Sequence, residues 1–172
     1  LNESLAAGLI MLSNWNKSDP FYDLMCGSGT LPIEAALMAH NIAPGLLREN
    51  FGFQKWLDYD SKLFSRLKKK AKSNIKINAD IKIYGFDIAF QNIAISLSSI
   101  KSINLSSVIK FQKQDINNFI PYEKNGVIII NPPYGERLKQ SMDELENLYK
   151  SIGDIFKSKC IGFNTYIFTS NL

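Results

Sequence analysis

The chain has 172 residues, 45% of them apolar and 21% charged, with a formal net charge of +4. That describes one globular domain large enough for a two-sided sheet, and no apolar run reaches the length of a membrane span. Two cysteines, Cys26 and Cys160, and one histidine, His40, exclude recognisable zinc spacing and a disulfide framework, so a cytoplasmic setting is expected. The mild positive charge favours a polyanionic partner without establishing one.

Residues 2–14 carry Leu5, Leu9 and Leu12 at helical spacing beside Ala6 and Ile10, which predicts an amphipathic helix with no cap before it. Residues 20–24 form a first core strand. Met25-Cys26-Gly27-Ser28-Gly29-Thr30 then leads into a helix over 31–43, with Pro32 in its first turn, where proline is tolerated. Strand, glycine turn and helix bring backbone N–H groups to a ligand at a helix N-terminus. Asn41-Ile42-Ala43-Pro44-Gly45 stops that helix.

Residues 46–57 are irregular and rich in aromatics (Phe51, Phe53, Trp56). A basic helix follows over 58–78, with Lys62, Arg66, Lys68, Lys69, Lys70 and Lys72. It reads first as a solvated face, with RNA contact as the alternative. Residues 81–87 make a second strand ending in Asp87. A helix over 89–103 places Ile93, Leu97 and Ile100 on one face. A third strand over 107–112 precedes Asp115 and Ile116. The β-branched run 126–130 predicts a strand buried on both faces. A helix over 141–157 and a last strand over 163–168, also expected to be covered on both faces, complete the chain.

This alternation implies an α/β, doubly wound, Rossmann-like sheet, mainly parallel, with order 3-2-1-4-5. The glycine turn and Asn131-Pro132-Pro133-Tyr134 then leave neighbouring strands at the switch point, with Asp87 and Asp115 on the same rim. A proline-rich turn after a strand is the plain reading of Asn131 to Tyr134. The functional reading rests on chemistry: prolines restrict the backbone, so a side-chain amide and an unpaired carbonyl sit together at a strand end. Asn131 and the Pro132 carbonyl can accept the two hydrogens of an exocyclic amine, and Tyr134 can stack on the base. On the cofactor side, Gly27 and Gly29 permit close approach, Asp23 suits an ammonium group and Asp87 a ribose diol. Asp115 suits an adenine amine, and the Ile116 backbone a ring nitrogen. Together these describe S-adenosylmethionine, although each aspartate alone would more often be a loop or capping residue.

Asp23-Leu24-Met25-Cys26-Gly27-Ser28-Gly29-Thr30, Asn41 to Gly45, Gly85-Phe86-Asp87-Ile88 and Asn131 to Leu138 resemble the class I methyltransferase domain of THUMP-containing RNA guanine-N2 methyltransferases. The bacterial enzymes acting on 23S rRNA are the most similar. The resemblance implies that the glycine turn, with Gly27 and Gly29, and Asp87 bind S-adenosylmethionine; with Asp23, Asp115 and Ile116 from the residue reading, Met25, Cys26, Ile88 and Asn131 complete the expected cofactor contacts. It also implies that Asn131, Pro132 and Tyr134 hold the target guanine, with no metal. Leu24 stands where relatives usually carry proline, and Ala89 where a second acid is common, so ribose binding is expected to lean on Asp87. The family's RNA-binding THUMP region and its final antiparallel strands are not among these residues. The 172 residues are therefore expected to be a fragment that binds RNA weakly alone. A tRNA guanine-N2 methyltransferase, a DNA adenine-N6 methyltransferase and a non-catalytic cofactor-binding scaffold remain as alternatives.

Overall fold

Five short segments rich in β-branched and aromatic residues pair into one sheet: β1 (Phe21–Asp23), β2 (Ile83–Asp87), β3 (Ile109–Lys113), β4 (Gly126–Ile130) and β5 (Phe163–Ile167). Every pair is parallel, and the order is β3-β2-β1-β4-β5, as the alternation predicts. The helices are α1 (Glu3–Leu12), α2 (Thr30–Ala39), α3 (Ser61–Ser73), α4 (Phe90–Ser102) and α5 (Met142–Lys159). The computed structural model describes residues 1–76, 80–133 and 142–169.

Alternate strand residues feed two cores. Phe21, Ile83, Ile109, Val127 and Ile129 face Ala6 and Ile10 of α1, Leu31 and Ala35 of α2, and Ile93 and Ile100 of α4. On the other face Tyr22, Phe86, Ile128 and Ile130 pack with Ile152 and Ile155 of α5. β4 is buried at all its positions, the expected result for its unbroken apolar run. In register, Phe21 lies between Ile83 and Val127, so β1 is the centre of the sheet and its exit adjoins that of β4.

Local chemistry moves several boundaries. Asn2 does cap α1, its Oδ1 accepting from the Leu5 amide at 2.8 Å. Ala6 and Ile10 face inward, while Leu5 and Leu12 are 39% and 79% exposed, because small Ala6 lets α1 lie close on α2. α2 stops at Ala39 because Asn41 adopts a left-handed φ of 53°. The Ile42 amide then donates to Leu37 O and the Asn41 amide to Met38 O, which terminates the helix before Pro44 is reached. α3 begins only after Asp60, whose carboxylate accepts from the Leu63 amide. In α4 it is Ser96, fully buried, that faces inward rather than Leu97. β5 pairs only with β4 among the described residues and leaves Tyr166 and Ile167 about two-fifths exposed, so it is not covered on both faces. No described helix is long and apolar enough to cross a membrane.

Candidate active site

The exits of β1 and β4 frame the site. After Asp23 the chain turns through residues 25–29 into α2, and three amides of that turn are used to hold it. Cys26 N donates to Phe86 O at 2.8 Å, Gly27 N to Asp87 Oδ2 at 2.9 Å, and Gly29 N to Cys26 O at 2.8 Å. Gly29 has φ 82°, and a Cβ there would lie 2.7 Å from Phe111 Cζ and 2.9 Å from Ser96 Oγ. Glycine is the residue that fits both demands. Gly85 answers the same ring, since a Cβ on it would collide with Phe111.

The amides of Ser28, Thr30 and Leu31 make no hydrogen bond among the described residues. They are the open donors at the start of α2, where the aligned peptide dipoles favour a negative group. All three residues line a cavity of about 140 Å³ together with Asp23, Met25, Cys26, Gly27 and Asn131. The glycines thus shape the turn, and their neighbours carry the free N–H groups. Glycine spacing alone does not reveal that division.

Asp23 is 2% exposed and accepts from the Met25 amide at 3.1 Å. Burial, helped by the nearby Asp87 charge, lifts its carboxyl from an ordinary 3.8 to about 8. Such a group has a use for a cation. Burial also pushes the Cys26 thiol upward, so Cys26 is a wall and not a nucleophile. Asp87 has three internal donors: Gly27 N on Oδ2, and Ala89 N and Asn92 Nδ2 on Oδ1. Oδ2 keeps a lone pair for a further donor.

Asn131 Oδ1 is buried without a hydrogen-bond partner. Pro132 is buried next to it, and its carbonyl accepts nothing from the described residues. At the end of β4 a buried acceptor thus goes unsatisfied, which is costly unless a ligand fills it, and the next residue in the chain carries a second unpaired carbonyl. Tyr134 lies outside the described residues. Asp115 and Ile116 sit past β3 and do not line the cavity. Asp115 Oδ1 caps the 3-10 turn Ile116–Asn118 by accepting from Asn117, and Ile116 is buried in the core beneath it. Asp115 Oδ2 has no partner among the described residues. Ile88 is 63% exposed beside Asp87.

Sequence reasoning missed the support under the turn. Ser96 Oγ lies 3.0 Å from both Gly27 O and Asn92 O and shares its one hydrogen between them, and Asn92 holds Asp87. The signal was available: Asn92 and Ser96 are polar residues four apart, adjoining the apolar face of a predicted helix. Phe111 gave no such signal, because a strand phenylalanine reads as ordinary core.

The RMKL-like methyltransferase-domain family (UPF0020) matches residues 1–172. The chain belongs to this family. A ribosomal RNA large subunit methyltransferase K/L from Psychromonas ingrahamii is 41% identical over 98% of the chain, which spans 23% of that relative. The solved structure of SMU.472, described as a putative methyltransferase complexed with SAH, superposes with TM-score 0.90 at 36% identity, over 97% of this chain and 44% of that one. A Listeria monocytogenes protein described as a predicted N6-adenine-specific DNA methylase gives TM-score 0.88 at 34% identity, over 99% of this chain and 44% of that one. The domain therefore accounts for less than half the length of each of these proteins. Its five parallel strands and the turn between β1 and α2 are those of a methyltransferase domain.

Proposed function

We propose that this domain transfers a methyl group from S-adenosylmethionine to the N2 amine of a guanine in RNA, and that the RNA is 23S rRNA. The observation that carries the reading is the buried, unpartnered Asn131 Oδ1 beside the open Pro132 carbonyl, on the wall of a cavity that starts at a helix N-terminus. A similar protein solved with SAH supports the cofactor, and the name of the Psychromonas relative supports the rRNA substrate.

When bound, the cofactor supplies an electrophilic methyl group on a sulfonium. The open amides of Ser28, Thr30 and Leu31 would take its carboxylate, and Asp23 its ammonium group. Asp87 Oδ2 would accept from the ribose, with Ile88 beside it, and Asp115 Oδ2 from the adenine amine. Met25 and Cys26 would form the wall beside the cofactor. On the substrate side, Asn131 Oδ1 and Pro132 O accept the two amine hydrogens and orient the nitrogen lone pair. A guanine amine is a weak nucleophile, so positioning must supply much of the rate, on the order of 7–11 kcal/mol in favourable cases. The proton can leave after attack, so no histidine is needed. Stacking of the base on Tyr134 and docking of the RNA through a module outside these 172 residues belong to the same reading.

Adenine N6 presents the same pair of amine hydrogens, which makes DNA adenine methylation the rival, and the description of the Listeria protein points that way. Incubating the protein with labelled S-adenosylmethionine and separate rRNA, tRNA and DNA pools distinguishes them. N2-methylguanine in rRNA is expected after nuclease digestion. N6-methyladenine in DNA, or label in tRNA alone, would overturn the substrate assignment.

A further inference from the structure

The cavity of about 490 Å³ between the 3-10 turns Pro44–Leu47 and Gly52–Lys55 and α3 is larger than the catalytic one. Its wall is aromatic, with Phe51, Phe53, Trp56, Tyr59 and Phe64 contributing rings. These rings touch one another, Phe53 and Phe64 at 5.3 Å, as in a small satellite core. Yet the core is open: α3 has no buried residue, and Trp56 and Leu67 are 68% and 53% exposed.

The other face of α3 is strongly charged. Leu63, Phe64, Leu67, Lys68 and Ala71 line the cavity at helical spacing, which leaves Lys62, Arg66, Lys69 and Lys70 directed elsewhere along the same helix. No acid lies within Ser61–Ser73, and no ion pair among the described residues involves its six cations. Lys68 instead stands 5.5 Å from the Phe64 ring centroid, joining the two faces. Asp58 and Asp60 sit at the N-terminal end of the groove, and Asp60 is used as the cap.

We propose that this groove and the basic face of α3 form a second contact surface for single-stranded RNA, separate from the methyl-transfer cavity. A base would enter the aromatic groove while successive phosphates cross the cations of α3, the combination by which single strands are commonly held. A repeating polyanion fits this surface better than an acidic peptide lying in the groove, which would leave Lys62, Arg66 and Lys69 unneutralised. The glycine turn starts α2 and the groove follows its end, so the two sites lie about 15 Å apart along a helix of ten residues. The proposal rests on the RNA reading above.

The test is fluorescence anisotropy with a labelled oligouridylate dodecamer over a range of salt concentrations. Trp56→Ala should weaken binding about tenfold. Lys69→Glu with Lys70→Glu should weaken it at least tenfold and reduce the salt slope by about 1.4, two phosphate contacts on a single strand. Thermal melts and cofactor titrations, expected to be unchanged, keep folding and the catalytic site apart from the result. Affinity and slope within twofold of wild type in both variants would overturn the proposal. So would crosslinks from the groove to a second copy or another polypeptide with RNA affinity unchanged. Normal methyl transfer to RNA with unchanged oligonucleotide binding would sink the groove and leave the proposed function standing. Weakened binding in both variants, with no methyl transfer to any RNA, would do the reverse.

Discussion

The Gly27 amide donates to Asp87 Oδ2 at 2.9 Å, joining the ends of β1 and β2 across sixty residues of sequence. The acid expected to serve a ribose also holds the glycine turn. Its substitution should therefore act twice. Asp87→Ala is expected to weaken S-adenosylmethionine binding by about 1–3 kcal/mol, through lost charge-assisted hydrogen bonds, and to lower the melting temperature without ligand. Calorimetry showing wild-type affinity would remove Asp87 from the site.

Ser96 and Asn92 hold the same turn from α4 without lining the cavity themselves. Ser96→Ala leaves Gly27 O without its buried donor and frees the turn to shift. We expect cofactor affinity to fall about fivefold, roughly 1 kcal/mol, while turnover at saturating cofactor stays near wild type. Equal losses in turnover and affinity would mean that α4 does more than position the turn.

Asp23 gives a pH signature whose sign follows from its burial. The carboxyl is raised from 3.8 to about 8, so the folded chain holds that proton more tightly than the unfolded chain does. Its contribution to stability is full below about pH 4 and is lost as pH rises through 8. Asp23→Asn should remove this dependence and raise the melting temperature at pH 9. An incoming ammonium group would favour the ionised form, so binding should release a proton. Cofactor affinity is expected to rise towards tenfold per pH unit between 6 and 8. Titration in buffers of different ionisation enthalpy detects the proton directly, and affinity flat over that range would place the ammonium elsewhere.

The strand order and the rim were legible because β4 and the glycine turn obey simple rules: an apolar run for a buried strand, and positive φ where glycines sit. The inward face of α1 was not. Leucine spacing pointed to Leu5 and Leu12, but close approach to α2 selected Ala6 instead. Of the residues singled out by type, Asp23 and Asn131 line the cavity and Asp87 holds the turn. They could not reveal that Gly27 and Gly29 spend their amides internally, or that Asp115 Oδ1 caps a 3-10 turn. Hydrogen-bond accounting requires both partners, and sequence supplies one at a time.

Asn131 combines a cost in the free protein with a use in the complex. Its Oδ1 is buried without a partner, a condition that typically costs about 1–3 kcal/mol. Asn131→Ala deletes that acceptor, so the variant should melt at or above the wild-type temperature, with a gain of up to about 4 °C for each kcal/mol relieved. Its activity should move the opposite way. Removing one preorganised group at the reacting centre commonly reduces turnover about a hundredfold or more. Cofactor affinity should change little, because the amides of α2, Asp23 and Asp87 remain. Single-turnover methyl transfer, a melt and a calorimetric titration on one variant test all three statements together. A variant that loses activity and melts lower would make Asn131 a structural residue. One that keeps its single-turnover rate within a few-fold of wild type would end its role in orienting the amine.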